Sequence, residues 1–300
     1  VRYGGLGLFS HLDTLDAIRE CSVNVSKAYL NGQDLSNIGK SSERLDIHYK
    51  NIHEELIDTL PEDSKTEFLD LNNKISNAWL NSIPFSKQLH LTNKEISCYL
   101  KSKTLYNGTS HCLKCGNINS INHPETCNSA SNFRVARHEL LKKSLAKTLI
   151  KSGNKVTVEP FINKPTSELR ADLSVQGSAA PNGSSCLIDL SVVTVNAISN
   201  KSNLNDITVT TTTTTTTNTT TTNTTTTAIQ DSLQQRHSEK IKKYQKLSNI
   251  QFIPFIISTA GTLHSDASNF LNRLDPNNKK QLRVSFSLIL LRSKANIQSF

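Results

Sequence analysis

The run Cys186-Leu187-Ile188-Asp189-Leu190-Ser191-Val192-Val193 is apolar, of strand length, and carries one carboxylate at its centre. Its length and composition predict an apolar strand. An ionised aspartate there is costly unless it is paired or binds a cation. Asp189 is therefore the first candidate for chemistry.

Two strand-like segments precede this run, Val156-Thr157-Val158-Glu159 and Arg170-Ala171-Asp172-Leu173-Ser174-Val175, with Gly and Pro clusters between them as hairpins require. Asp172 sits in the second as Asp189 sits in the third, and Glu159 closes the first. Upstream, a helix is predicted over about 134–150, with Leu141, Leu145 and Leu149 as an apolar stripe and Lys142, Lys143, Lys147 and Lys151 largely off it. That gives one buried face and one basic face. Downstream, the threonine tract interrupted by Asn218 and Asn223 reads as a disordered, solvated insertion over 208–227. A basic helix over about 228–248, a strand at Gln251–Ser258 and a helix near 265–274 follow. The order is helix, three strands, helix, strand, a mixed α+β or α/β fold over 129–300.

Residues 1–105 read as a separate, mainly helical segment. Ser64-x-x-Glu67 and Thr92-x-x-Glu95 are capping-box patterns, followed by Phe68, Leu71 and Ile75 and by Ile96 and Leu100 at helical spacing, with Trp79 and Leu80 joining that core. Between the two regions, residues 106–128 hold Cys112-x2-Cys115-x7-His123-x3-Cys127. Two thiolates two residues apart grip one tetrahedral ion from a tight turn, and a later His and Cys complete the sphere. Four protein ligands leave no position for water, so the expected zinc is structural. Its binding is worth on the order of 10–16 kcal/mol, enough to order a segment with no core of its own. His111 is a possible substitute ligand.

The chain has 34 basic and 25 acidic side chains and a formal charge of +9, which favours a polyanionic partner, nucleic acid before membrane. No apolar run approaches the roughly 20 residues of a bilayer span, and no signal-peptide pattern opens the chain. Cysteines crowded beside a histidine suit a metal site better than a disulfide framework. Val1 and the absence of methionine read as a fragment of a longer reading frame.

Asp172 and Asp189 on adjacent strands can converge at one sheet end and hold Mg²⁺ or Mn²⁺ through oxygen ligands, with Glu159 as a third acid. Phosphodiester cleavage also needs a cation near the phosphate. Two residues after Asp189 stands Ser191, so the nearest lysines are Lys240 and Lys243, which share a helix face, with Lys240 preferred. Arg134, Arg137, Lys142, Lys143 and Lys243 are the candidate nucleic-acid contacts.

Taken in order, the Cys/His cluster, Arg134-x2-Arg137-His138, Val158-Glu159-Pro160, Arg170-Ala171-Asp172, Ile188-Asp189-Leu190 and Lys240-x2-Lys243-Tyr244 resemble the end of non-LTR retrotransposon polyproteins that carry a restriction-like endonuclease. The opening Arg2-Tyr3-Gly4-Gly5-Leu6-Gly7-Leu8 is similar to the segment that follows the reverse transcriptase in them. The resemblance implies a PD-(D/E)xK nuclease fold behind a CCHC zinc knuckle, nicking target DNA in the nucleus to prime reverse transcription of the element RNA. Asp172 and Asp189 then match the metal-binding acids, Glu159 an accessory acid and Lys240 a displaced lysine. Ala171 stands where the family has proline, and the threonine insertion separates Asp189 from Lys240. No Tyr/Phe-x-Asp-Asp polymerase motif is present, so synthesis is assigned to an upstream reverse transcriptase domain.

Overall fold

The computed structural model describes residues 11–32, 39–82, 86–105, 111–112, 115–117, 123–160, 170–195, 220–245 and 251–298. Helices α1 (His11–Leu30), α2 (Gly39–Thr59), α3 (Glu62–Leu71), α4 (Asn93–Lys103), the short α5 (His123–Thr126) and α6 (Ser131–Lys151) lead into the strands. Then come β1 (Lys155–Val158), β2 (Leu173–Gln176), β3 (Ser185–Val193), α7 (Thr220–Tyr244), β4 (Gln251–Ser258), α8 (Ser265–Leu271) and α9 (Pro276–Gln298). The sheet order is β1-β2-β3-β4, with antiparallel β1–β2 and β2–β3 pairs and a parallel β3–β4 pair. A parallel neighbour needs a long crossover, and α7 lies in it. From α6 onward the chain thus runs helix, three strands, helix, strand, then two further helices, in a mixed α+β architecture.

Every residue of β3 from Cys186 to Ser191 is buried, because helices cover both faces of the sheet. On one face Leu141, Leu145 and Leu149 of α6 pack with Leu173, Val175, Ile188 and Leu190, joined by Leu282, Phe286 and Leu290 of α9. The three α6 leucines are 0% exposed, and burying each contributes about 1.5–3 kcal/mol. On the other face Leu187 meets Ala171 and Tyr244, while Val193 meets Ile229, Leu233 and Ile256. Leu282, Val284, Phe286 and Leu288 alternate with less apolar residues in strand period, yet they lie in α9. That helix packs against the main core and, through Leu291 and Ala295, against α4, so it has several apolar faces and no simple stripe.

Several expectations change. Residues 220–227 of the threonine tract are helical, as the first turns of α7; the rest of 208–227 and the opening Arg2–Leu8 motif lie outside the described residues. Extending an anchored helix costs less than about 0.7 kcal/mol per threonine, since nucleation is supplied by the packed segment. The first capping box does not form: Pro61 is the N-cap and Ser64 lies inside α3. A proline disfavours helix at the residue before it, so the start falls there. The second box forms in full, Glu95 N–H donating to Thr92 Oγ1 at 3.3 Å and Thr92 N–H to Glu95 Oε2 at 2.6 Å.

Phe68, Leu71 and Ile75 are buried as expected, but Leu80, Ile96 and Leu100 are exposed. In α4 the buried face is Cys98 and Tyr99, which meets Leu291 and Ala295 with Trp79 alongside. The position of α9 chose that face. Residues 62–103, read from sequence as a separate segment, share the main core. Ile75 belongs to it, Ser258 Oγ donates to Asp70 Oδ1 at 2.8 Å, and Asn73 Nδ2 donates to Ala260 O at 2.9 Å. Gly261, at φ +104°, permits this approach: a Cβ there would lie 3.0 Å from the Ile75 side chain.

Candidate metal centre and carboxylate site

Cys112, Cys115, His123 and Cys127 bring four ligand atoms within 4.8 Å of one another, a cluster that can hold a metal such as zinc. The turn between the first two is closed by Gly116 N–H to Cys112 O at 2.9 Å and Cys112 N–H to Asn117 O at 2.8 Å, with Gly116 at φ +73°. His123 opens α5, and the Cys127 N–H bonds to His123 O at 2.8 Å, so one turn of helix sets the second ligand pair. Cys115 Sγ lies 3.2 Å from His123 Nε2. The Asn117 backbone N–H favours the Cys115 thiolate, yet desolvation and the facing Cys112 and Cys127 thiols outweigh it and raise its pKa. Three sulfurs aimed at one point resist ionising together unless a cation lies between them, so the donor set fits zinc.

The cluster is braced to the body of the protein. Cys127 is buried with Ala130 and Ile297, Arg134 donates to Cys127 O at 2.6 Å, and Arg137 pairs with Glu125 at 2.5 Å, both side chains 3% exposed. Arg134 and Arg137 were expected to reach nucleic acid; here Arg137 is buried against Glu125, whose carboxylate must be satisfied where water is excluded, and the half-buried Arg134 is engaged by the Cys127 carbonyl. Lys142 is corrected in the same way. It is buried and holds Glu139 at 2.7 Å and Glu159 at 2.5 Å. Lys143 and Lys243 are exposed, as a nucleic-acid contact requires.

Asp189 lies mid-strand on the face toward α7. A helix rises about 1.5 Å per residue and a strand about 3.3 Å, so four helix residues keep step with two strand residues. Running opposite to β3, α7 accordingly sets Tyr244 beside Leu187, Lys240 beside Asp189 and Arg236 beside Ser191. Lys240 Nζ is 2.5 Å from Asp189 Oδ2, and Arg236 Nε donates to Ser191 Oγ at 2.9 Å. The Tyr244 hydroxyl donates to Arg170 O at 2.6 Å and lies 3.3 Å from Asp189 Oδ1; burial first, then the Asp189 charge, raise its pKa.

Asp172 stands just before β2, not within it. The β2–β3 register, Leu173 opposite Ile188, brings Asp172 abreast of Asp189 if continued by one residue. Its side chain turns toward α6: Oδ2 accepts the Leu190 N–H at 2.6 Å and lies 3.3 Å from His138 Nε2. Burial opposes its charge, but His138, the Leu190 N–H and Lys142 prevail and lower its pKa. The same hydrogen bond to Asp172 raises the pKa of His138 against burial. Glu159, in a left-handed turn at φ +51°, donates its N–H to Asp172 O at 2.8 Å and points its carboxylate to Lys142.

Oδ2 of Asp172 is thus taken by hydrogen bonds and Oδ2 of Asp189 by its ion pair with Lys240, while among the described residues Oδ1 of Asp189 has the long tyrosine contact and Oδ1 of Asp172 has no hydrogen bond. Those oxygens suit a hard divalent cation. The donors, however, come from opposite layers, α6 for one acid and α7 for the other. Glu159, expected as a third ligand, does not join them. Among the described residues, the groups of three or more ligating side chains with all ligand atoms within 4.8 Å are the Cys/His cluster and His237, His264 and Asp266. Sequence reading assigned no role to His138, Arg236 or Tyr244. The signal for the last two was their i, i+4, i+8 spacing with Lys240.

Among the described residues no helix is long and apolar enough to cross a membrane. No protein-family model matches the chain, and no curated protein matches it.

Proposed function

We propose that this chain is the zinc-knuckle and nuclease portion of a non-LTR retrotransposon polyprotein, with a restriction-endonuclease-like domain that nicks a DNA target in the nucleus. The freed 3′ end primes reverse transcription of the element RNA by a polymerase domain upstream. The observation that carries the reading is the order helix, three strands, helix, strand with Asp172 and Asp189 abreast across the β2–β3 pair and Lys240 against Asp189.

Asp172 and Asp189 would hold Mg²⁺ or Mn²⁺, which when bound would supply polarisation of the scissile phosphate. Lys240 offsets the negative charge that grows on the phosphate oxygens. His138 and the Leu190 N–H fix Asp172 in orientation, and Lys142 keeps Glu159 and Glu139 from adding uncompensated charge. Arg236, held by Ser191 and with its side chain 43% exposed, offers guanidinium donors to a neighbouring phosphate. Lys143 and Lys243 extend the basic surface along the backbone, and the zinc knuckle holds nucleic acid close by.

The test is nicking of supercoiled plasmid by the zinc-loaded chain with Mg²⁺ or Mn²⁺. Nicked product that disappears in Asp172→Ala and Asp189→Ala supports the reading; a parent that binds DNA and zinc yet never nicks overturns it. One observation favours a second reading, a non-cutting nucleic-acid-binding fragment: both aspartates are already neutralised, from opposite layers, by His138 and Lys240. That reading expects salt-dependent DNA binding unchanged by Asp172→Ala.

A further inference from the structure

The second ligand cluster lies apart from both the thiolates and the aspartate pair. His237 projects from α7, His264 is the N-cap of α8, and Asp266 lies in the first turn of α8. Their ligand atoms all fall within 4.8 Å of one another. His237 Nε2 is 2.7 Å from Asp266 Oδ2, and the two imidazoles stack at 4.2 Å with 21° between their planes.

His264 is held as a ligand histidine is held. Its backbone N–H bonds to Ile256 O at 3.0 Å, and the residue is 5% exposed. The Asp266 backbone N–H points at Nδ1 from 3.3 Å; an amide can only donate, so Nδ1 presents a lone pair and the proton is on Nε2. Nε2–H then donates to Gln234 Oε1 at 2.8 Å. An outer N–H held by a protein acceptor, and an inner lone pair met only by this long amide contact, which an ion would replace, are the arrangement that orients metal-binding histidines.

We propose that His264 Nδ1, His237 Nε2 and Asp266 Oδ2 form a second metal site, for a borderline divalent ion such as Zn²⁺ or Co²⁺, that fastens α7 to the start of α8. Two imidazoles and a carboxylate are a donor set such ions accept, and three protein ligands leave one position for water. The ion takes the place of the hydrogen between His237 Nε2 and Asp266 Oδ2, with the imidazole proton carried on Nδ1 of the same ring, so that a neutral imidazole and a carboxylate ligate it. Lone pairs of stacked rings run side by side, so the His237 ring turns out of the stack to converge with the others. Asp266, 48% exposed, leaves the approach open. The consequence reaches Arg236 and Lys240, which share α7 with His237.

Titration with Co²⁺ of the full chain, stripped of transition metal and kept in excess Mg²⁺ so that the aspartate pair is occupied, tests this. The parent is expected to bind two equivalents: one with the thiolate-to-cobalt charge-transfer band of the cysteine cluster, one with weaker visible bands only. His237→Ala and Asp266→Asn are expected to weaken the second equivalent at least tenfold and leave the charge-transfer band intact. Cys115→Ala should do the reverse. His264 is left in place because it caps α8, and circular dichroism of each variant checks that the fold is retained. One equivalent in the parent, or a second equivalent that survives in the His237→Ala/Asp266→Asn double variant, overturns the proposal.

Discussion

The Cys/His cluster and the aspartate pair are both built to face cations, yet they differ in how their charge is met. In the cluster, four ligand atoms converge within 4.8 Å of one another, and sulfur faces sulfur. In the aspartate site each carboxylate already has a protein donor, Lys240 for Asp189 and His138 with the Leu190 N–H for Asp172. Thiolates are poor hydrogen-bond acceptors and are satisfied chiefly by metal; carboxylates are satisfied equally well by lysine, histidine and amides. The first region is therefore the one that an ion would order, and the second holds its shape without one.

The largest expected effect breaks the first region. Chelation of zinc, or Cys127→Ser, should release the 112–127 segment and leave Arg137 and Glu125 poorly braced, since structural zinc is worth on the order of 10 kcal/mol locally. Protease cleavage confined to this segment on zinc removal is the readout; unchanged resistance would mean that the Arg134 and Arg137 contacts alone hold it. Next comes Asp189→Ala, which leaves Lys240 facing a buried strand and should destabilise by about 3–5 kcal/mol. Asp189→Leu combined with Lys240→Leu should recover most of that loss in urea unfolding. If the double variant is as unstable as the single one, the pair is not what sets the cost.

A smaller effect sharpens the second region. His138 has its pKa raised by the Asp172 hydrogen bond, against burial. The stabilisation is fully present below the ordinary histidine value and is lost as pH rises through the raised one. At about 1 kcal/mol or less, it should appear as a decline in urea midpoint across that window that is absent in His138→Gln. The smallest stability effect is at Lys143, exposed on α6: Lys143→Ala should shift stability by less than about 0.5 kcal/mol, while lowering the salt dependence of DNA binding by about one counterion. A larger loss of stability would show that Lys143 is structural, like its neighbour Lys142.

Local pattern made much of this legible. Cys112, Cys115, His123 and Cys127 were readable because a tetrahedral site is specified by short spacing, and Thr92 with Glu95 because a capping box closes within one turn. Asp189 was readable as a charge inside an apolar strand, and the order of helix and strands followed from hydrophobic period. Where several faces of one helix are buried, period misleads: α9 alternates as a strand would, and α4 buries Cys98 and Tyr99 in place of Ile96 and Leu100.

What the sequence by itself determined is the inventory of local devices: the four candidate metal ligands, the cores of all four strands and the carboxylate in the third. Only the tertiary structure decided which charges meet. It turned Arg137 and Lys142 inward to Glu125, Glu139 and Glu159, set Asp172 toward His138, and brought His237 to His264 and Asp266 across the α7–α8 contact. The reason is range. Turns, caps and strand periods are fixed by neighbours within a few residues, whereas a buried charge takes its partner from whichever element the packing of the core lays against it.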